Sequence, residues 1–353
     1  MAQMVLMSLT YYYLIILRES NMNSKKGLAL IIANAIYDEQ NNIESCTKDG
    51  IDMIEKFKSM KFDIIDGINL SRNNFFQKIE EFIDVSKSYQ NLVFYYSGHG
   101  VQIDGNNYLV PKDCVYNRNK NIFINSSLID LNIITNFMDE HQSKTNIIIL
   151  DACRNNPFHT KGLNTLGLAE LNVGSGTFVS FATAPNSTSG GYGTAEYNSI
   201  FTKFLLKHID KPNLKIEDMF KLVRNDVENY TSKEQIPWES TSLKTDFCFN
   251  TMSDNEIDET IYKLVTNFDT VNSLVLLSDY LRLPISNIMR RYQQYKSNLP
   301  GGIYFTNQLE FEEFILKNIL DLGFKIKNYR WVYNDTSVIM GEFYHDPNTF
   351  KNK

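Results

Sequence analysis

Two residues, His99 and Cys153, have the type and the setting for covalent chemistry. His99 sits in YYSGHG (residues 95–100) at the end of one apolar run, and Cys153 ends a second run, IIILDAC (147–153). A free thiol titrates near about 8.5, and a neighbouring imidazole either lowers that value or takes the proton. Such a pair can attack a carbonyl carbon and pass a proton to the leaving group. Gly98 and Gly100 flank the histidine, which lets the chain turn sharply and bring a main-chain N–H close to a ligand. Taken singly, each residue also has an ordinary role: a strand-end Cys as a small buried hydrophobe, a His in a glycine turn as a structural group.

The pair works only if both runs are core strands whose ends meet. Gly27–Ala33 and Asn91–Ser97 read as buried strands, Phe62–Ile65, Asn146–Leu150 and Gly176–Thr183 as further strands, with a last strand near Thr245–Phe249 and an excursion with a short strand at Tyr108–Pro111. Between them lie helical patterns. Lys48–Met60 spaces Ile51, Ile54 and Phe57. A helix capped by Ser71 lines up Phe75, Phe76, Ile79, Phe82 and Ile83. Leu128–Glu140, Tyr197–His208 and Ile216–Tyr230 follow. Strands alternating with helices predict a mostly parallel sheet covered on both faces, with chemistry outside the carboxyl ends of the strands.

Composition narrows the function. The chain has 353 residues, a net charge of −6, four cysteines far apart and five histidines. An acidic balance argues against non-specific nucleic-acid binding. No C-x-x-C pair or D-x-D-x-D loop is present, so neither zinc nor calcium is expected, and no cofactor. The cysteine usage points to a reducing, cytoplasmic setting. No run reaches the roughly 20 apolar residues of a spanning helix. Met4–Leu17 is largely apolar, but no basic residue precedes it and no small-residue cleavage site follows, so it does not read as a signal peptide.

The ordered motifs resemble the caspase fold family, and most closely its paracaspases and bacterial caspase-like peptidases. YYSGHG, YLVPKD (108–113), LDACRNN (150–156), GLA (167–169), GTFVSFATAP (176–185), NSIFTKFLLKHI (198–209) and IPWESTSLKTDFCF (236–249) occur in that family's order. The His precedes the Cys by about fifty residues, as in the caspase signature. The resemblance covers about Gly27 to Phe249. It implies an α/β/α sandwich with a mostly parallel six-stranded sheet. It also implies a cysteine endopeptidase in which Cys153 is the nucleophile, His99 the proton carrier, and the backbone N–H groups of Cys153 and Gly100 the oxyanion donors. A caspase-fold scaffold or pseudoenzyme that acts by binding partners is the alternative.

The resemblance also bears on substrate choice. Caspases that cleave after Asp carry Gln two residues before the nucleophile. Here that residue is Asp151, which repels an acidic P1 side chain and attracts Arg or Lys. Asp49, in CTKDGIDM, and Ser97 match further pocket positions of the family, and Asp113 is a weaker candidate. Each has a plain reading too: Asp49 complementing a helix N-terminus, Ser97 a strand-end hydroxyl, Asp113 a turn cap. Arg154 is a candidate partner for Asp151 in the free chain. NSTSGG (186–191) lacks the Glu that animal paracaspases carry there, and Lys161-Gly162 is a candidate self-cleavage point.

The organisation expected is an extension over 1–26, a peptidase domain over 27–250 and a smaller, mainly helical domain over 251–353. Thr251–Glu259 reads as an acidic linker. Two helices around Pro284, a helix at Phe311–Leu322 and a hairpin around Asn334-Asp335 follow, in a pattern that faintly resembles a winged helix. Its nucleic-acid candidates are Arg282, Arg290, Arg291 and Lys296. A net acidic tail favours a protein partner instead. The partners expected are therefore a protein or peptide substrate with basic P1, a protein at the C-terminal domain and a second copy in a homodimer, with no membrane and no nucleic acid.

Overall fold

Gly27–Ala33 is apolar or glycine throughout, and it forms β1, buried along its whole length. In the computed structural model, which describes residues 26–37, 42–117, 122–153, 168, 171, 174–183, 197–267, 277–297, 324–332 and 338–345, this strand lies inside a large sheet. It runs parallel to β2 (Phe62–Ile68) on one side and to β3 (Asn91–Ile103) on the other. β3 pairs in parallel with β8 (Thr145–Cys153), and β8 with β9 (Thr177–Phe181). β10 (Trp238–Thr241) closes the far edge antiparallel to β9, so the path is β10-β9-β8-β3-β1-β2. Past the end of the β1 ladder, β3 pairs with β4 (Asn106–Leu109), which pairs with β7 (Ile129–Asp130). A two-residue hairpin, β5 (Tyr116–Asn117) and β6 (Ile122–Phe123), lies off this sheet.

Strand side chains alternate between faces, and here the two faces build two cores. Odd-numbered residues such as Ala29, Ile31, Val93, Tyr95, Ile147 and Ile149 pack against α1 (Ser45–Ser59), α4 (Ile200–His208) and α5 (Ile216–Tyr230). Even-numbered residues such as Leu30, Ile32, Phe94, Tyr96, Ile148 and Leu150 pack against α2 (Arg72–Val85) and α3 (Asn132–Glu140). This is the α/β/α sandwich expected, with five parallel strands and one antiparallel strand on its main path.

Several elements depart from the sequence reading. α1 buries Cys46, Asp49, Gly50, Met53 and Phe57, while Ile51 faces solvent and Ile54 is only partly buried. Gly50 explains that rotation: a Cβ there would stand 2.6 Å from the Ala33 Cβ, so the helix backbone lies hard against β1. Ser71 makes no side-chain cap on α2, and Asp113 takes that role, its Oδ1 accepting from the Arg72 N–H at 2.7 Å. The last strand of the large sheet is Trp238–Thr241, not Thr245–Phe249. Phe247 and Phe249 alternate like strand residues, yet both insert into the core on the α1 face. There Phe249 meets Phe57 and Phe62 edge-on or tilted.

By their contacts the described residues fall into two compact units, one within Arg18–Asp210 and Leu214–Asn250, the other within Lys211–Asn213 and Thr251–Lys353. In the second, the stretch read as an acidic linker is helix α6 (Asp254–Asn267). Its start carries a reciprocal cap: the Ser253 Oγ accepts from the Glu256 N–H at 3.3 Å, and the Glu256 Oε2 accepts from the Ser253 N–H at 2.7 Å. α7 (Ile285–Ser297) packs on α6, with Tyr262 and Tyr292 stacked. Arg291 bonds Asp254 and Asp258, which occupies the guanidinium that the sequence offered to nucleic acid. β11 (Phe324–Val332) and β12 (Val338–His345) form the expected antiparallel hairpin. Met4–Leu17, Phe311–Leu322 and the Asn334-Asp335 turn lie outside the described residues.

Candidate active site

The site lies at the carboxyl end of β8 and where the parallel part of β3 ends, on the two central strands. Their parallel register sets Ser97 opposite Asp151, Gly98 opposite Ala152 and His99 opposite Cys153. The intervening chain, residues 100–152, is thus returned so that the two chemical residues share one rung. His99 is 3% exposed, and its imidazole lies against the Tyr37 ring, with centroids 4.7 Å apart.

The direction of the Gly100 N–H follows from the hydrogen bonds around it. The Ser97 carbonyl accepts from the Asn34 N–H on the β1 flank, and the His99 carbonyl accepts from the Val110 N–H at 3.0 Å. In a strand the N–H and C=O of one residue face the same flank, so the backbone groups of His99 face the β1 and β4 side, and by alternation Gly100, paired with Leu109, turns its N–H to the opposite flank, the one bordered by β8. An oxyanion forming beside the end of β8 would meet that donor.

Next to this rung lies a group of polar side chains on the α1 face of the sheet. Asp49, from the second turn of α1, is fully buried. Its Oδ2 accepts from the Ser97 hydroxyl at 3.1 Å, and its Oδ1 from the Ser199 N–H at 2.9 Å. Asp151 is half-buried, and its Oδ2 accepts from the Thr202 hydroxyl at 2.6 Å and from the Ser199 hydroxyl. Ser199 is also the N-cap of α4, accepting from the Thr202 N–H at 3.0 Å. Burial pushes the Asp49 carboxyl well above the ordinary carboxylate range, and the nearby Asp151 charge raises it further. Burial also raises Asp151, against the lowering effect of its bonds from Ser199 and Thr202. Two carboxyls that resist ionisation together make a site that gains when a cation enters.

The structure thus gathers Asp49, Ser97 and Asp151, and sets His99, Gly100 and Cys153 beside them. Asp113 does not join them: it is exposed and serves as the cap of α2. Ser199 and Thr202 are the residues that sequence reasoning missed. The signal was a serine at the head of the apolar run of α4, the residue type that caps a helix. Arg154, Lys161-Gly162 and NSTSGG (186–191) lie outside the described residues.

Comparison with known proteins places this site in a family. The caspase domain model matches residues 26–248. The chain belongs to the caspase-domain family. A caspase domain is the fold of a family of cysteine peptidases, and the match spans both strand-end motifs. Mucosa-associated lymphoid tissue lymphoma translocation protein 1 of Homo sapiens is 24% identical over 131 residues, which is 37% of this chain and 15% of that protein. Its Mus musculus homologue matches with the same identity and coverage. The chain therefore aligns with only a small part of those relatives. Among solved structures, the Drosophila initiator caspase Dronc superposes with a TM-score of 0.48 and 17% identity, over 65% of this chain and 86% of that one. Caspase-1 from Spodoptera frugiperda gives 0.47 and 16%, over 66% and 93%.

Proposed function

We propose that this caspase-domain chain is a cysteine endopeptidase that cleaves peptide bonds after Arg or Lys. The observation that carries the reading is the shared rung of His99 and Cys153 with a paired-carboxylate site beside it. His99 takes the thiol proton of Cys153, and the thiolate attacks the scissile carbonyl. The tetrahedral oxyanion accepts from the Gly100 N–H on the β8 flank and from the Cys153 N–H. Its collapse breaks the C–N bond as His99 donates its proton to the leaving amine. Water, deprotonated by His99, then hydrolyses the thioester and restores the thiol.

Specificity follows from charge. A P1 guanidinium or ammonium entering near Asp151 and Asp49 supplies the positive charge that lets both carboxyls ionise, whereas a P1 carboxylate would add a third acid. The family's basic-P1 members carry acids at the matching positions, which supports the same reading.

A positional-scanning peptide library tests it. Cleavage dominated by Arg and Lys at P1, lost in both Cys153→Ala and His99→Ala, is the expected result. A profile dominated by Asp would overturn the specificity. A folded chain that neither cleaves nor is labelled at Cys153 by an Arg chloromethyl ketone would instead be a scaffold.

A further inference from the structure

β3 loses its neighbour just where it carries the histidine. The β1 ladder ends at the Ala33–Ser97 pair, followed by one bond from the Asn34 N–H to the Ser97 carbonyl. Beyond it, the buried His99 N–H still needs an acceptor. The acceptor is the Tyr37 hydroxyl, at 2.9 Å, and that hydroxyl donates in turn to the Asn34 carbonyl at 2.8 Å. On the other side of the residue, the Tyr96 hydroxyl donates to the His99 carbonyl at 2.9 Å, sharing its proton with the Val110 carbonyl at 3.2 Å. The Asn34 side chain closes the ring, its Nδ2 donating to the same Val110 carbonyl at 3.1 Å.

Three further facts make this ring stiff. Both tyrosines are buried, and burial pushes both phenols far above their ordinary value, so each O–H stays protonated. The Tyr96 ring stacks on Phe75 and cannot swing away without leaving the core. Gly98 has a φ of +155°, and a Cβ there would fall 2.6 Å from the Tyr96 Oη and 2.8 Å from the Tyr37 Oη. The glycine before the histidine therefore makes room for the two hydroxyls inside a continuous strand.

We infer that Tyr37 and Tyr96 are positioning residues for His99, their hydroxyls clamping its main-chain N–H and C=O while the Tyr37 ring sets the plane of the imidazole. The inference rests on the proposed peptidase reading. Neither phenol touches substrate. Each holds the proton carrier in the orientation the reaction needs, and small displacements of such a group are costly in rate.

The test is Tyr37→Phe in the full chain, with Tyr96→Phe as a second variant. Tyr37→Phe keeps the ring against the imidazole and removes only the oxygen. On an Arg peptide, kcat should fall about tenfold or more while KM stays within about twofold. A purely structural role would lower the melting temperature and the active fraction without changing kcat per active site, titrated with an Arg chloromethyl ketone. Wild-type kcat in the folded variants would overturn the inference. If Tyr37→Phe fails to fold, Tyr96→Phe carries the same comparison. If the wild-type chain cleaves nothing, the peptidase reading has failed. The clamp is then judged by the pH profile of Cys153 alkylation with iodoacetamide, followed by mass mapping. A profile displaced in the variants supports the clamp, and superimposable profiles overturn it.

Discussion

At the scale of single residues, the paired acids set a cost and a gain in the same place. Both Asp49 and Asp151 have their carboxyl pKa raised by burial, and Asp49 is raised further by its neighbour. A carboxyl whose folded pKa is raised favours the folded chain below the ordinary value near about 4. That advantage is lost as pH climbs toward the folded value, where the native chain must ionise an unfavourable group or hold a proton. Asp151→Asn keeps an oxygen for the Ser199 and Thr202 hydroxyls and removes the charge. Its melting temperature should match wild type near pH 4 and exceed it increasingly toward pH 7. A difference that stays flat across thermal melts would contradict the assigned cause. The same substitution should cost about 2–5 kcal/mol of transition-state binding for Arg peptides, as loss of one partner in a desolvated charge pair does elsewhere. Alkylation of Cys153 should change far less.

At the scale of elements, charge is also buried away from the site, where it ties two helices. The Lys56 Nζ on α1 bonds the Asp210 Oδ2 just past α4 at 2.9 Å, and the lysine is 3% exposed. Removing one partner takes away the carboxylate that compensates a buried ammonium, so Asp210→Ala should destabilise the fold by about 3 kcal/mol in urea melts. Lys56→Met combined with Asp210→Leu should recover most of that loss; a double variant no more stable than Asp210→Ala would contradict the pairwise account. Ser199→Ala should cost about 1 kcal/mol from the cap of α4 alone, and it also removes a donor from Asp151. These elements were legible in the sequence to different degrees. Four of the five parallel strands were readable because each carries a short, mostly apolar run, the mark of a strand buried on both faces, whereas β2 (FDIIDGI) sits at the sheet edge and is only partly buried. α6 was misread because its first turn is acidic, although Ser253 and Glu256 carry the spacing of a reciprocal cap. The rotation of α1 was hidden because it depends on Gly50 meeting Ala33, a contact between distant segments. The Tyr37 clamp was hidden for the same reason: its partner, His99, is brought there only by the sheet register.

At the scale of the whole molecule, the question is where the catalytic unit ends. Every group proposed for the reaction lies between Tyr37 and Thr202, inside the unit that closes at Asn250. The closing residues are structural. Phe247 and Phe249 belong to the core on the α1 face, and the Phe247 carbonyl accepts from the Ile216 N–H at 2.8 Å. Asn250 is buried, donates to the Asp210 carbonyl at 2.8 Å and accepts from the Lys26 Nζ at 3.3 Å. We therefore propose that a chain of residues 22–250 folds by itself and cleaves small Arg peptides with a kcat/KM within about threefold of the full chain. A chain of residues 22–245 lacks both phenylalanines, each worth about 3–5 kcal/mol when truncated in a core. Losses of that size rival the stability of an ordinary domain, so the shorter chain should show no cooperative melt. Circular dichroism melts and peptide kinetics on the two chains decide the matter. A 22–250 chain that melts cooperatively but cleaves nothing, beside an active full chain, would show that residues beyond Asn250 belong to the catalytic unit.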